Sequence, residues 1–230
     1  MNVRAMSPTL SDHEKRRFAD TAGLQYSLGF MSSIACLDLE GVLVPEIWIN
    51  VAQRTGIDEL LATTRDIADY SQLMQQRLDI CEKNGLGIRE ITDVIAELQP
   101  LEGAKDFLSW LRENCQVIIL SDTFYEFSQP LMRQLGFPTL FCHRLEITED
   151  GKVTSFQLRM PDQKREAVKG LKNLNFRVIA AGDSYNDISM LNEADAGILF
   201  SPPENVIEEF PQFPVTVDYA GLQAAFEQVL

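Results

Sequence analysis

Asp38 and Glu40 stand two residues apart, just past the apolar run 33–37, and Gly41 follows them. A carboxylate at such a turn can attack phosphorus as a nucleophile and form an aspartyl-phosphate. A second carboxylic acid can protonate the leaving oxygen and then act as base on the incoming one. Asp183 and Asp187 form another pair, after the run 178–181 and Gly182. Mg²⁺ takes hard oxygen ligands in an octahedron and keeps several waters, so Asp38, the Glu40 carbonyl and Asp183 are candidate ligands. Asp187 falls near the start of the next expected helix, where it either ligates, orders the ligands from behind or caps the helix.

Four further residues could serve the same chemistry. Ser121 ends the run 117–120, and its hydroxyl and N–H can bind a phosphate oxygen, although a plain turn serine looks the same. Lys164 opens an expected helix in Asp162-Gln163-Lys164-Arg165 and could neutralise the charge among nucleophile, phosphate and acids. Taken alone it would be a solvated lysine. Arg77 shares a helical face with Leu73 and Cys81, so a charge interrupts an apolar stripe and needs a partner. That partner is either an acid of the same helical block or a substrate carboxylate gripped bidentately. Glu46 either favours a helix N-terminus or holds a substrate ammonium.

These residues converge only if the elements place them together. Short runs rich in Ile and Val read as buried parallel strands, and ligands of open α/β sheets lie at the strands' carboxyl ends. Expected strands cover 33–37, 116–121, 176–181 and 196–200, with a hairpin across 140–159 about Glu149-Asp150-Gly151. Expected helices cover 103–113, 129–135, 163–172 and 186–193, with Pro130 in the first turn of its helix. This alternation predicts an α/β, Rossmann-like, doubly wound parallel sheet. The core is expected at 33–44 and 100–230, and a small helical cap at 45–99, with helices at 46–55, 66–83 and over Ile88, Ile91, Ile95 and Leu98. Residues 1–32 carry no strand pattern and are expected to form a flexible extension with one short helix after Ser11, and Met31 could serve as a later start.

The bulk numbers bound the partners. The 230 residues suffice for one sizeable core plus a small inserted module. A net charge of −14 argues against nucleic acid and anionic membranes. Small molecules remain as partners, and an anionic substrate would need a metal or a basic side chain. The four cysteines form no Cys-x-x-Cys pair, which suits reduced thiols and a cytoplasmic location. No apolar run is long enough to span a bilayer, and the first thirty residues lack a signal-peptide core.

Asp38-Leu39-Glu40-Gly41, Ser121-Asp122-Thr123, Lys164 and Gly182-Asp183-Ser184-Tyr185-Asn186-Asp187 come in the order of the four motifs of the haloacid dehalogenase superfamily. The chain resembles its phosphoserine phosphatases. The run from Asp38 to Trp48 and the run 119–138 resemble the bacterial bifunctional phosphoserine phosphatase/homoserine phosphotransferase type. The resemblance implies a Mg²⁺-dependent enzyme that dephosphorylates phosphoserine and passes the phosphoryl group to water or homoserine. It implies Asp38 as nucleophile, Glu40 as acid/base, and Ser121 and Lys164 as phosphate binders. Asp38, the Glu40 carbonyl and Asp183 are implied as metal ligands with Asp187 behind them, and Glu46 and Arg77 as clamps for the amino and carboxylate groups. Glu40, where the superfamily usually has Asp, and Asp122-Thr123, where ordinary phosphoserine phosphatases carry small residues, both match the transferase type. Asp122 and Thr123 are counted among the substrate-binding residues. Other readings are a phosphatase of another small phosphomonoester, and a receiver-like phosphoacceptor domain, which would need no cap.

Overall fold

Aliphatic runs buried on both faces make the centre of the sheet. The computed structural model describes residues 32–63, 66–67 and 69–230, and the expected helix after Ser11 lies outside them. β1 (Ser33–Leu37) lies between β2 (Gln116–Phe124) and β5 (Arg177–Gly182), parallel to both. Leu37 is level with Ile119 on one side and Ala181 on the other, so the three carboxyl ends open side by side. β6 (Ala196–Phe200) and the short β7 (Val215–Thr216) extend the sheet beyond β5. β3 (Thr139–Ile147) pairs parallel with β2, and β4 (Val153–Gln157) returns antiparallel at the far edge. The order is β4-β3-β2-β1-β5-β6-β7, the doubly wound sheet that the alternation predicted.

Between β1 and β2 the chain is helical: α1 (Ile47–Thr55), a 3₁₀ turn at Asp58–Leu61, α2 (Tyr70–Asn84), α3 (Ile88–Glu97) and α4 (Ala104–Asn114). α2 starts four residues later than its apolar spacing suggested, because the Asp69 carboxylate accepts the Gln72 N–H and caps the helix there. Gly85, at φ +66°, ends it in the left-handed conformation that a side chain disfavours. The α2–α3 pair is fastened to the β3–β4 hairpin. Ile88 N–H donates to Gly151 O at 2.9 Å, and Lys152 pairs with Glu82 at 2.6 Å.

Two further elements differ from expectation. β2 runs through Ser121-Asp122-Thr123 to Phe124, with its pairing to β3 interrupted between Leu120 and Phe124. α5 (Tyr125–Gln134) begins directly after it, so Pro130 lies inside the helix rather than in its first turn. The ring removes one N–H from the ladder, a cost that burial of Phe127, Leu131 and Met132 offsets. α6 (Gln163–Asn173) and α7 (Ile188–Glu193) lie near their expected places, with a 3₁₀ turn at Tyr185–Asp187 before the latter. α8 (Glu204–Glu209), β7 and α9 (Tyr219–Glu227) complete a tail for which the sequence reading assigned no elements. Among the described residues, no helix is long and apolar enough to cross a membrane.

Candidate active site

Asp38 follows β1, and its N–H continues the ladder onto Ala181 O at 3.0 Å. Its Oδ1 accepts the Leu39 N–H at 2.7 Å and lies 3.0 Å from Lys164 Nζ. The chain then turns tightly, with Leu43 and Val44 N–H both donating to Leu39 O. Gly41 makes this turn at φ +76°, where a Cβ would sit 2.5 Å from the Asp183 carboxyl carbon. The turn brings Glu40 to the start of α1, where its Oε2 accepts the Ile47 N–H at 2.8 Å.

Gly182 closes β5, and a Cβ there would meet the Asp187 carboxyl carbon at 2.3 Å. The absence of a side chain lets the loop fold back on itself. Asp187 Oδ2 accepts the N–H groups of Asp183 (2.9 Å) and Ser184 (3.2 Å), while its Oδ1 accepts from Lys164 at 2.7 Å. Asp187 is fully buried, and capping and ion pairing coexist on one carboxylate. Asp38, Asp183 and Asp187 each offer a carboxylate oxygen within 4.8 Å of the others. This all-oxygen, strongly anionic donor set fits a hard divalent cation.

Lys164, at 2 % exposure, is a buried cation rather than a solvated one. Burial alone would lower its pKa, but Asp187, Asp38 and Asp122 outweigh that and hold it well above the ordinary lysine value. Asp38 shows the converse. Burial first, and the Asp187 charge second, push its carboxyl well up, against the opposing pull of Lys164. One ammonium among so many carboxylates leaves a surplus of negative charge.

Ser121 and Thr123 are buried on β2, and Ser121 Oγ accepts the Thr123 N–H at 3.2 Å. Asp122 turns its carboxylate toward a ring of donors: Asn186 Nδ2 at 3.0 Å, Gln163 Nε2 at 3.4 Å, His143 Nε2 at 3.4 Å and Lys164 Nζ at 3.7 Å. Burial would raise this carboxyl, but Lys164, His143 and Asn186 together hold it well below the usual carboxylate range. Its backbone carbonyl accepts the Tyr70 hydroxyl, at the start of α2, at 2.5 Å.

Asp38, Glu40, Ser121 and Asp183 share one cleft with Glu46 and Arg77 from the helical block. The cleft holds about 180 Å³, below the ~300–1,000 Å³ of drug-sized sites, so it suits a ligand of few heavy atoms. Glu46 is exposed at the N-cap position of α1. Arg77 is buried at 8 % exposure, its Nη2 donating to Ala62 O at 3.0 Å. The Glu40 carboxyl is pushed up to about 7, by burial first and the Glu46 charge second, against the Ile47 N–H and Arg77.

The structure thus brings every sequence-nominated residue to one region. It adds Gln163, Asn186, His143, Tyr70 and Trp48, which the sequence reading did not nominate. Asn186 adjoins Asp187 and Gln163 adjoins Lys164 in sequence, so both carry a local signal. His143 reaches Asp122 from the neighbouring strand, a pairing with no local sequence signal.

Known proteins resemble this chain in sequence and in fold. Residues 34–195 match the model of the haloacid dehalogenase-like hydrolases. Phosphoserine phosphatase ThrH of Pseudomonas aeruginosa is 65 % identical over 193 residues, 84 % of this chain and 94 % of that one. A phosphoserine phosphatase of Pseudomonas syringae pv. tomato is 64 % identical, over 84 % of this chain and 81 % of its own. A phosphoserine phosphatase holding a phospho-aspartyl intermediate analogue superposes with a TM-score of 0.71 at 22 % identity, covering 86 % of this chain and 99 % of its own. A substrate-bound phosphoserine phosphatase gives 0.70 at 21 %, over 87 % and 99 %. At that identity the two structures establish the fold. With the family model spanning residues 34–195 and a 65 % identical relative covering 84 % of the chain, the chain belongs to the haloacid dehalogenase-like hydrolase family.

Proposed function

We propose that this chain is a phosphoserine phosphatase that works through a phospho-Asp38 intermediate and can pass the phosphoryl group to homoserine as well as to water. The observation that carries the reading is one small cleft lined by Asp38, Glu40, Glu46 and a buried Arg77. Such a site takes a phosphate, an ammonium and a carboxylate on one small molecule. Two relatives at 64–65 % identity named phosphoserine phosphatases support the same substrate.

The mechanism follows from the side chains. Asp38, fixed by the Leu39 N–H and Lys164, attacks phosphorus. Glu40, protonated up to about pH 7, gives its proton to the serine oxygen as the P–O bond breaks. With Oε2 accepting the Ile47 N–H, the proton belongs on Oε1. Ionised Glu40 then takes a proton from water, or from the homoserine hydroxyl, as that oxygen attacks phospho-Asp38. Lys164 and Ser121 hold the phosphate oxygens, and Arg77 and Glu46 the carboxylate and ammonium. Asp122 and Thr123 complete the binding wall, Asp122 chiefly by holding Lys164 and Asn186 in place.

Asp38, the Glu40 carbonyl and Asp183 would hold Mg²⁺, with Asp187 ordering them from behind through its bonds to Asp183, Ser184 and Lys164. When bound, the ion would offset the surplus negative charge and polarise the phosphoryl oxygens. In this reading residues 45–99 are the cap over a core of 33–44 and 100–230. The four free thiols suit a cytoplasmic enzyme.

³¹P NMR with phosphoserine and Mg²⁺, with and without homoserine, tests the reading. A phosphohomoserine peak that requires homoserine is the expected result. Phosphate alone would remove the transferase part, and unconsumed phosphoserine would overturn the substrate.

A further inference from the structure

Arg77 is an arginine held by almost nothing polar. Among the described residues its guanidinium donates to Ala62 O (3.0 Å) and Met74 Sδ (3.7 Å), and its Nε has no partner at all. A ring packs against it as well. The guanidinium carbon lies 5.0 Å from the Trp48 ring centroid, within the reach of a cation–π contact. Trp48, at 7 % exposure, is itself locked, meeting Phe127 edge-on with centroids 5.6 Å apart. Phe127 meets Phe124 at 5.5 Å. Phe124 ends β2, three residues after Ser121. A file of packed rings therefore runs from Phe124, three residues after Ser121, to Arg77.

A ring face engages the flat side of a guanidinium and leaves its N–H edge unspent. That edge is what a carboxylate grips bidentately. An acid in place of Trp48 would hold Arg77 equally well but would consume the donors. Tryptophan carries no charge to compete with the ligand and offers the strongest aromatic face.

We infer that Trp48 is a specificity-determining positioning residue, which sets the plane of the Arg77 guanidinium so that the cleft selects phosphomonoesters bearing a carboxylate. The inference rests on the proposed reading of Arg77 as the carboxylate clamp. Trp48 acts through Arg77, so its loss should weaken recognition of the carboxylate more than recognition of the phosphate or ammonium.

Phosphoethanolamine, which has the phosphate and ammonium but no carboxylate, is the probe. Its inhibition constant against phosphoserine turnover, divided by the KM for phosphoserine, measures carboxylate selectivity whether or not it is itself turned over. In Trp48→Leu this ratio is expected to fall about tenfold, and in Trp48→Phe, which keeps a weaker ring face, by less. Arg77→Ala should lower it at least as far as Trp48→Leu. If Trp48→Leu raises both constants together and leaves the ratio intact, Trp48 is packing only and the inference is overturned while the clamp stands. If Arg77→Ala leaves the ratio intact, the clamp reading itself has failed and the inference falls with it. Should circular dichroism show Trp48→Leu unfolded, Trp48→Phe decides, and a ratio equal to the wild type's overturns the proposal.

Discussion

Lys164 Nζ lies 3.0 Å from Asp38 Oδ1, with the lysine side chain 2 % and the aspartate 5 % exposed. A lysine so deeply buried stays charged only because carboxylates surround it, and those carboxylates are tolerable only because the lysine is there.

Lys164→Met should therefore do more than slow turnover. It leaves Asp38, Asp183 and Asp187 facing one another without their cation. Removing one partner of a buried charge set costs about 3–5 kcal/mol. Thermal unfolding should show a lower Tm than the wild type's, together with a larger gain on adding Mg²⁺. An unchanged Tm in metal-free buffer would contradict this account of the cluster.

Glu40 predicts a pH limb. Its carboxyl sits at about 7 because burial, and then Glu46, disfavour its charge. In the proposed mechanism the first half-reaction needs the protonated form, so kcat/KM should fall tenfold per unit above about pH 7. Glu40→Gln should lower kcat by about 10²–10⁴ and abolish that limb. Stability shows the same dependence on pH. A carboxyl raised by folding contributes fully below its unfolded value near 4 and progressively loses that contribution as pH rises through 7. Glu40→Gln should thus be relatively more stable at pH 8 than at pH 5, and urea midpoints at the two pH values read this directly.

Asp122 has the opposite sign. Burial would raise its carboxyl, but Lys164, His143 and Asn186 depress it. Its contribution is present above the unfolded value near 4 and is lost as pH falls through the lower folded value. Asp122→Asn should cost about 1–3 kcal/mol at pH 7, a deficit that shrinks at pH 3. Urea midpoints showing an equal deficit at both pH values would refute the depressed carboxylate.

Gly41→Ala tests the turn between the proposed nucleophile and the proposed metal site. The new Cβ would meet Asp183 at 2.5 Å, on a backbone at φ +76° that an L side chain disfavours. Asp183 must move. Half-maximal activity should then need about 10–100-fold more Mg²⁺, read from a Mg²⁺ titration. An unshifted titration curve would mean that Asp183 does not hold the ion.

Much of this was legible because the chemistry-bearing residues sit at ends of strongly patterned elements. Runs such as Ile-Ala-Cys-Leu in β1 and Val-Ile-Ala-Ala in β5 are buried on both sides, and Asp38 and Asp183, just beyond them, are delivered to the same edge. Arg77 announced itself by breaking an apolar stripe, and it is buried. What stayed hidden depends on contacts between strands or on short elements. Ser121 to Phe124 remain in β2 because Phe124 still pairs with His143 across an irregular register. Pro130 marked a helix start by local rule, whereas tertiary burial of Phe127 and Ser128 extends α5 upstream of it. His143 next to Asp122, and Trp48 under Arg77, follow from packing between elements that sequence spacing does not relate.

The central claim is a covalent phosphoryl group on Asp38. Purified enzyme with Mg²⁺, mixed with ³²P-phosphoserine and quenched in acid within one turnover, tests it directly. Protein-bound label is expected that hydroxylamine releases, that maps to the peptide containing Asp38, and that is absent from Asp38→Asn. Full turnover by Asp38→Asn, or label on another residue, would contradict it.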